Sequence, residues 1–312
     1  MSADPQLSIG LTSFAASDPD DWAPLVNAAV AADEAGFDRL VVSDHVVFGE
    51  RLDEYGRPEI GGQAGGRQPT GPDGHWLEPL STLAFLAGQT SNIRIGTNIL
   101  LAALRRPVVL AKMASTIDVL SNGRLDLGVG VGWQREEYDA AGLAFEDRGH
   151  LLDECLRICQ VLWKQDRASY ESAHLQFDRI HMMPKPLQAG GVPIWVSGTV
   201  NKRVARRLAE FGNGWIPWGD AAADPVSAIR AMGELLSDHG RDIGEMQVVG
   251  SLPVRRSGPS IDLPATMGAV PEMAAAGVTD FRVMMRVPPT RDEAADVLTP
   301  LVAAFKAAAG GT

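Results

Sequence analysis

The chain has 312 residues, 45% hydrophobic and 21% charged, an ordinary globular composition with enough apolar material for a substantial core. Its 39 acidic and 28 basic residues leave a formal charge of −11, which argues against nucleic acid or an anionic membrane as the main partner, since both reward clustered Lys and Arg. The opening "MSADPQLSIGLTSF" has neither a basic start nor a long apolar run, and no stretch approaches the eighteen or so apolar residues of a membrane span, so no signal peptide, no membrane segment and a cytoplasmic location are expected.

Short β-rich runs alternate with helical stretches. "LSIGL" is a strand, followed by a helix over "DPDDWAPLVNAAVAADEAG", which opens on Asp residues and stops at Gly36. "RLVVS" is the second strand, rich in β-branched residues, and it ends in Asp44-His45. After a long loop come a helix over "EPLSTLAFLAGQT", the strand "IRIGTNILL" and a helix over "RPVVLAKMASTIDVLSNG". "RLDLGVGVG" is the fourth strand and "DRGHLLDECLRICQVLWK" its helix. That helix carries the only cysteines, Cys155 and Cys159, on one face with Leu151, Leu152 and Leu162, as buried small hydrophobes and not a disulfide or metal pair. "VPIWVSG" and "VNKRVARRLAEFG", "GWIPW" and "DPVSAIRAMGELLSDHG", and "MQVVGSLPV" and "LPATMGAVPEMAAAG" repeat the pattern, although Pro271 weakens the last helix. "DFRVMM" and "RDEAADVLTPLVAAFKAAA" close the chain.

Unbroken alternation of this kind implies a parallel sheet with right-handed crossovers, and eight units predict a closed (β/α)₈ TIM barrel. One domain over 1–312 is expected, with insertions at 46–77 after strand 2 and at 166–192 between helix 4 and strand 5. Sites in such barrels lie at the C-terminal strand ends, where Asp44-His45, Thr97-Asn98, Gly130 to Trp133 and Ser197-Gly198-Thr199 would converge.

Each stretch has a bland and a functional reading. In "LGVGVGW" the third glycine comes one residue too early for a dinucleotide fingerprint. Its glycines either let strands crowd together or admit a flat or phosphorylated ligand close to the backbone. "VSGTVNKRVARR" either caps a helix through hydroxyls or offers helix-start amides, with Ser197 and Thr199, to a phosphate. Asn98 either satisfies local backbone or faces the barrel mouth. No histidine shows metal-ligand spacing, and there is neither an H-E-x-x-H nor a G-x-S-x-G motif, so no metal site and no hydrolase chemistry are expected.

The stretches "GFDRLVVSDHVVF", the block from "EPLSTLAFL" through "GVGVGWQREEYDAAG", "RGHLLDE", "PKPLQAGGVPIWVSG" and "GNGW" together resemble the luciferase-like monooxygenase superfamily, most closely its branch dependent on the deazaflavin coenzyme F420. The resemblance implies that Asp44 and His45 lie beside the reactive face of the cofactor ring. It implies a non-prolyl cis peptide at Asn98-Ile99, with Thr97 beside it, backing that ring. Gly130, Gly132, Trp133 and Tyr138 would line the cofactor tail, and Ser197, Gly198 and Thr199 would bind its phosphate. The implied activity is hydride transfer between the deazaflavin C5 and a small organic substrate, with His45 moving the proton and Asp44 orienting the imidazole or bonding the ring edge; the 46–77 loop would close over the substrate. FMN with oxygen is the alternative cofactor chemistry, and a flavin binder without catalysis is a third reading. Relatives are often homodimers. The chain departs from the sugar-phosphate oxidisers, which carry Glu after the glycine run where Trp133 stands here, and it has Asn213 in place of their acidic residue before "GW".

Overall fold

Eight short strands form a closed, all-parallel barrel in the computed structural model, which describes residues 4–310. They are β1 Gln6–Gly10, β2 Arg39–Val42, β3 Arg94–Thr97, β4 Leu125–Val129, β5 Ile194–Gly198, β6 Gly214–Pro217, β7 Gln247–Ser251 and β8 Asp280–Met284. Each pairs with its neighbours in sequence, and β8 returns to β1, with Gln6 opposite Asp280. The (β/α)₈ expectation is met, with all eight predicted strands in the barrel.

Helices wrap the outside and stop where their end signals stand. Ala23–Ala35 ends on Gly36 at φ 87°, a left-handed cap that glycine adopts without steric cost. Lys202–Phe211 starts at Asn201, whose side chain accepts from the Arg203 and Val204 N–H groups at 3.0 Å. Cys155 and Cys159 are buried free thiols on Arg148–Lys164. The helix expected over 263–277 is instead two short ones, Leu263–Met267 and Val270–Ala275. Pro271 sits in the first turn of the second, where its missing N–H would have had no helical partner.

The insertions have structure of their own. Within 166–192, Ala168–Glu171 pairs with Gln176–Ile180 as an antiparallel hairpin. Within 46–77 there are two 3₁₀ turns, Leu52–Gly56 and Pro58–Ile60, and His75–Trp76 pairs with Phe14–Ala15 beyond β1. Among the described residues no helix is long and apolar enough to cross a membrane.

The barrel interior is layered. Near the strand starts, Arg39 binds Asp126 through Nε at 2.9 Å and Asp280 through Nη1, and its guanidinium lies 4.4 Å from the Trp195 ring centroid. Arg282 adds bonds to Ser8 Oγ at 3.0 Å and Asp280 at 3.2 Å, so these buried charges are paired, as low-dielectric burial demands. Above them, Trp195, Ile216, Val249 and Ile99 form an apolar layer. This layer is the floor on which the mouth is built.

Candidate active site

A cavity of about 740 Å³ opens at the C-terminal mouth. It is lined by Asp44, His45, Asn98, Ile99, Gly130, Gly132, Trp133, Ser197, Gly198 and Thr199, contributed by the ends of β2, β3, β4 and β5. Two expected members are elsewhere. Thr97 is buried and donates through Oγ1 to the Gly128 carbonyl at 2.7 Å, which ties β3 to β4. Tyr138 is fully buried below the wall, donates to the Val131 carbonyl at 2.6 Å and packs edge-on against Phe145. Both support the cavity without lining it, since each spends its hydroxyl on a backbone carbonyl.

The glycine run divides between the two readings. A Cβ at Gly128 would lie 2.0 Å from the Thr97 carbonyl oxygen, so this glycine is required by strand crowding. A Cβ at Gly130 would lie 2.8 Å from Ile99 Cδ1, at the cavity wall. There the Asn98–Ile99 peptide is cis, at the position the resemblance implied. Asn98 Oδ1 accepts from Arg282 Nη1 at 2.8 Å, so the barrel interior reaches up to hold this segment.

Asp44 does not orient His45. Its side chain is completely buried, with Oδ2 accepting from the Leu101 N–H at 2.8 Å and from Arg105 Nη1 at 2.6 Å, and Oδ1 from Arg105 Nη2 at 3.1 Å. This bidentate pair fixes the strand end to the turn after β3. Arg105 also binds Glu78 at 2.8 Å. Partial burial pushes the Glu78 carboxyl up, but the Ser81 N–H and Arg105 pull it down further, leaving it below the ordinary range.

The carboxylate at the imidazole is Glu137, on the short helix Arg135–Ala140. Its Oε1 lies 3.3 Å from His45 Nδ1 and accepts the Val46 N–H at 2.8 Å. At the other end of the ring, Nε2 lies 3.3 Å from Gln68 Nε2, on the 46–77 insertion. Sequence reasoning missed both residues. The only available signal for Glu137 was its place four residues after Trp133 in "WQREEY", because a helix of six residues leaves little periodicity to read.

At the far side, Ser197 and Thr199 present hydroxyls to the cavity. Thr199 Oγ1 accepts from Asn201 Nδ2 at 3.1 Å, which leaves its proton free to donate. Because Asn201 takes the Arg203 and Val204 amides, an anion here would be met by the hydroxyls and not by those helix-start N–H groups. Asn213, the other departure in sequence, accepts the Ile194 N–H through Oδ1 at 3.0 Å and so serves loop geometry. The 46–77 insertion crosses the mouth, where Trp218 Nε1 donates to the carbonyls of Gly61 and Gly62 at 3.1 and 3.2 Å.

Comparison with known proteins bears on the family and the fold. A curated, uncharacterised protein of Mycobacterium tuberculosis is 33% identical over 140 residues, 45% of this chain and 49% of that one, so the chain spans about half the length of such relatives. An F420-dependent glucose-6-phosphate dehydrogenase of Kineococcus radiotolerans is 29% identical over 235 residues, 73% of this chain and 63% of that one. The solved structure of an F420-dependent secondary alcohol dehydrogenase in complex with an F420-acetone adduct superposes with TM-score 0.74 at 16% identity, over 97% of this chain and 99% of that one; the likeness is one of fold. The model of the luciferase-like monooxygenase family matches residues 6–255, most of the barrel including every stretch that lines the cavity up to β7, and the chain belongs to that family.

Proposed function

We propose that the chain is an oxidoreductase that binds coenzyme F420 at the barrel mouth and passes reducing equivalents between it and a small organic substrate. The observation that carries this reading is His45, held in the cavity wall with a carboxylate at one ring nitrogen and the other turned toward Gln68. When bound, the deazaflavin supplies a carbon, C5, that accepts or releases a hydride.

The residues suit such a group. The absence of a side chain at Gly130 leaves room for Ile99 in the wall, an apolar surface against which a flat ring could lie, and Ser197 and Thr199 line the same cavity with hydroxyls able to donate to a phosphate. The carboxylate of Glu137 favours a proton on Nδ1, so Nε2 is the site that takes a proton from a substrate hydroxyl or returns it. The 46–77 insertion, tied to Trp218 at the mouth, would shield that exchange from water.

The test is a fluorescence titration of the purified protein with F420 and with FMN, followed by oxygen-consumption assays. F420 is expected to bind and FMN to be ignored. Tight FMN binding without F420 binding, with oxygen uptake on reduction, would replace this reading by flavin monooxygenase chemistry. In the F420-loaded enzyme His45→Ala is expected to lower turnover by about 10²–10⁴-fold.

A further inference from the structure

The cavity wall carries a continuous belt of rings. Phe14 stacks on Trp76 with centroids 4.1 Å apart, and Trp76 meets His45 edge-on at 4.8 Å. His45 faces Trp133 at 6.1 Å, Trp133 meets Tyr55 at 5.5 Å, and Tyr55 reaches Trp218 at 6.4 Å. All six residues line the one cavity, with His45 in the middle of the belt. They come from separate segments: the ends of β1, β2, β4 and β6, and the 46–77 insertion, which supplies Tyr55 and Trp76.

The charges around the cavity are already paired. Arg207 is bound to Asp153 at 2.5 Å, Arg282 to Asp280 at 3.2 Å, and Asp44 to Arg105 at 2.6 Å. Asp220, exposed at the rim, adds a negative charge. Beside the rings, away from the Ser197 and Thr199 hydroxyls kept for the cofactor, a carboxylate or phosphate on a substrate would lose its water without gaining a cation in return, and such a transfer is strongly unfavourable. Apolar rings, by contrast, gain both burial and ring–ring contact.

We infer that the substrate is an uncharged molecule bearing an aromatic or similarly flat apolar ring, seated in this belt with its reacting group at His45 Nε2. The inference rests on the proposed function for the identity of the reacting group, and on the belt alone for the ring.

Calorimetric titration of the protein, with and without its cofactor, tests the assignment using four probes: acetonaphthone, naphthoate, butanone and glucose 6-phosphate. Acetonaphthone is expected to bind at least about tenfold more tightly than naphthoate, which differs by the carboxylate, and than butanone, which lacks the rings. Glucose 6-phosphate should give no heat of binding. Tyr55→Ala and Trp76→Ala should each weaken acetonaphthone by about two- to tenfold, while Tyr55→Phe, which keeps the ring, leaves it unchanged. Equal or tighter binding of naphthoate, butanone or glucose 6-phosphate, no binding of acetonaphthone, or indifference to both alanine variants would overturn the inference. Binding of FMN in place of F420 would sink the proposed function and leave the ring preference standing, so the two failures are distinguishable.

Discussion

Glu137 illustrates how one buried carboxylate can decide what a neighbouring histidine does. Its Oε1 stands 3.3 Å from Nδ1 of His45, and Nε2 of the neutral ring can take a proton only in the tautomer that carries the ring proton on Nδ1. Glu137→Gln keeps the oxygen that accepts the Val46 N–H but removes the charge. Imidazole ¹⁵N shifts of the cofactor-free protein are expected to change from one Nδ1–H tautomer to a mixture, with turnover of the loaded enzyme down by about 10- to 100-fold. Unchanged tautomer signals would deny Glu137 its positioning role. His45 itself was legible, because a polar pair at a core strand's end is conspicuous. Its carboxylate is not legible: sequence offers the adjacent Asp44, to orient the imidazole or to bond the cofactor ring's edge, whereas a contact across 92 positions leaves no local trace and Arg105 satisfies Asp44 from the turn after β3. Tyr138, which the resemblance sets along the cofactor tail, is fully buried beneath the wall. Burial raises its phenol above the ordinary 10.0, so the folded form stays neutral where the unfolded chain ionises. The stability this gives is present below about pH 10 and lost as pH rises further. Tyr138→Phe should therefore flatten the alkaline fall of the melting temperature, while costing about 1 kcal/mol near neutrality through the orphaned Val131 carbonyl.

At the scale of elements, strands buried on both sides were easy to read and short polar elements were not. "RLVV" is a short β-branched run and "RLDLGV" alternates Leu125, Leu127 and Val129 with Arg124, Asp126 and Gly128, and each forms a barrel strand. The hairpin at 168–180 is half exposed and so lacks a core-facing run to announce it. The break at 268–269 follows from Pro271, whose ring fits only the first turn of a helix, which splits one predicted helix into two. The glycine run required coordinates to divide it, since nothing local separates Gly128, crowded by a backbone carbonyl, from Gly130, crowded by a side chain that can move. That difference gives a prediction. Gly128→Ala forces β3 and β4 apart and should destabilise the fold by about 1–3 kcal/mol or more in urea denaturation. Gly130→Ala meets Ile99 side-chain atoms, Cδ1 at 2.8 Å and Cγ1 at 3.0 Å, and no backbone, so it should cost less stability than Gly128→Ala and weaken cofactor binding instead. The reverse order of effects would mean that the cavity wall has been placed on the wrong glycine.

Across the whole molecule, the charged layer at the barrel base is mechanically joined to the mouth. Asp280, from the last strand, accepts from Arg39 of the second strand and from Arg282 two residues on, and Ser8 donates to it at 2.5 Å. Arg282 then spans to Asn98 Oδ1 beside the cis peptide. Full burial lowers the Arg282 guanidinium from its ordinary value despite Asp280, so this carboxylate is the group that makes a second buried cation tolerable there. Asp280→Asn leaves Arg39 and Arg282 facing each other with Asp126 alone to offset them. Because removing one member of a buried charge network strands the others, a loss of about 3–5 kcal/mol is expected in urea denaturation. The further expectation is positional: with Arg282 held by Ser8 alone and no longer by a carboxylate, the Asn98 segment loses part of its support and F420 affinity falls, measured by the same fluorescence titration at a temperature where the variant remains folded. Arg94→Gln provides the contrast. Arg94 also binds Asp126, but it is partly exposed and does not touch Asn98, so its loss should cost less stability and leave cofactor affinity unchanged. If Asp280→Asn lowered stability while F420 bound as before, the base and the mouth would be energetically separate, and the bond from Arg282 to Asn98 would be a packing contact without a part in holding the cofactor site.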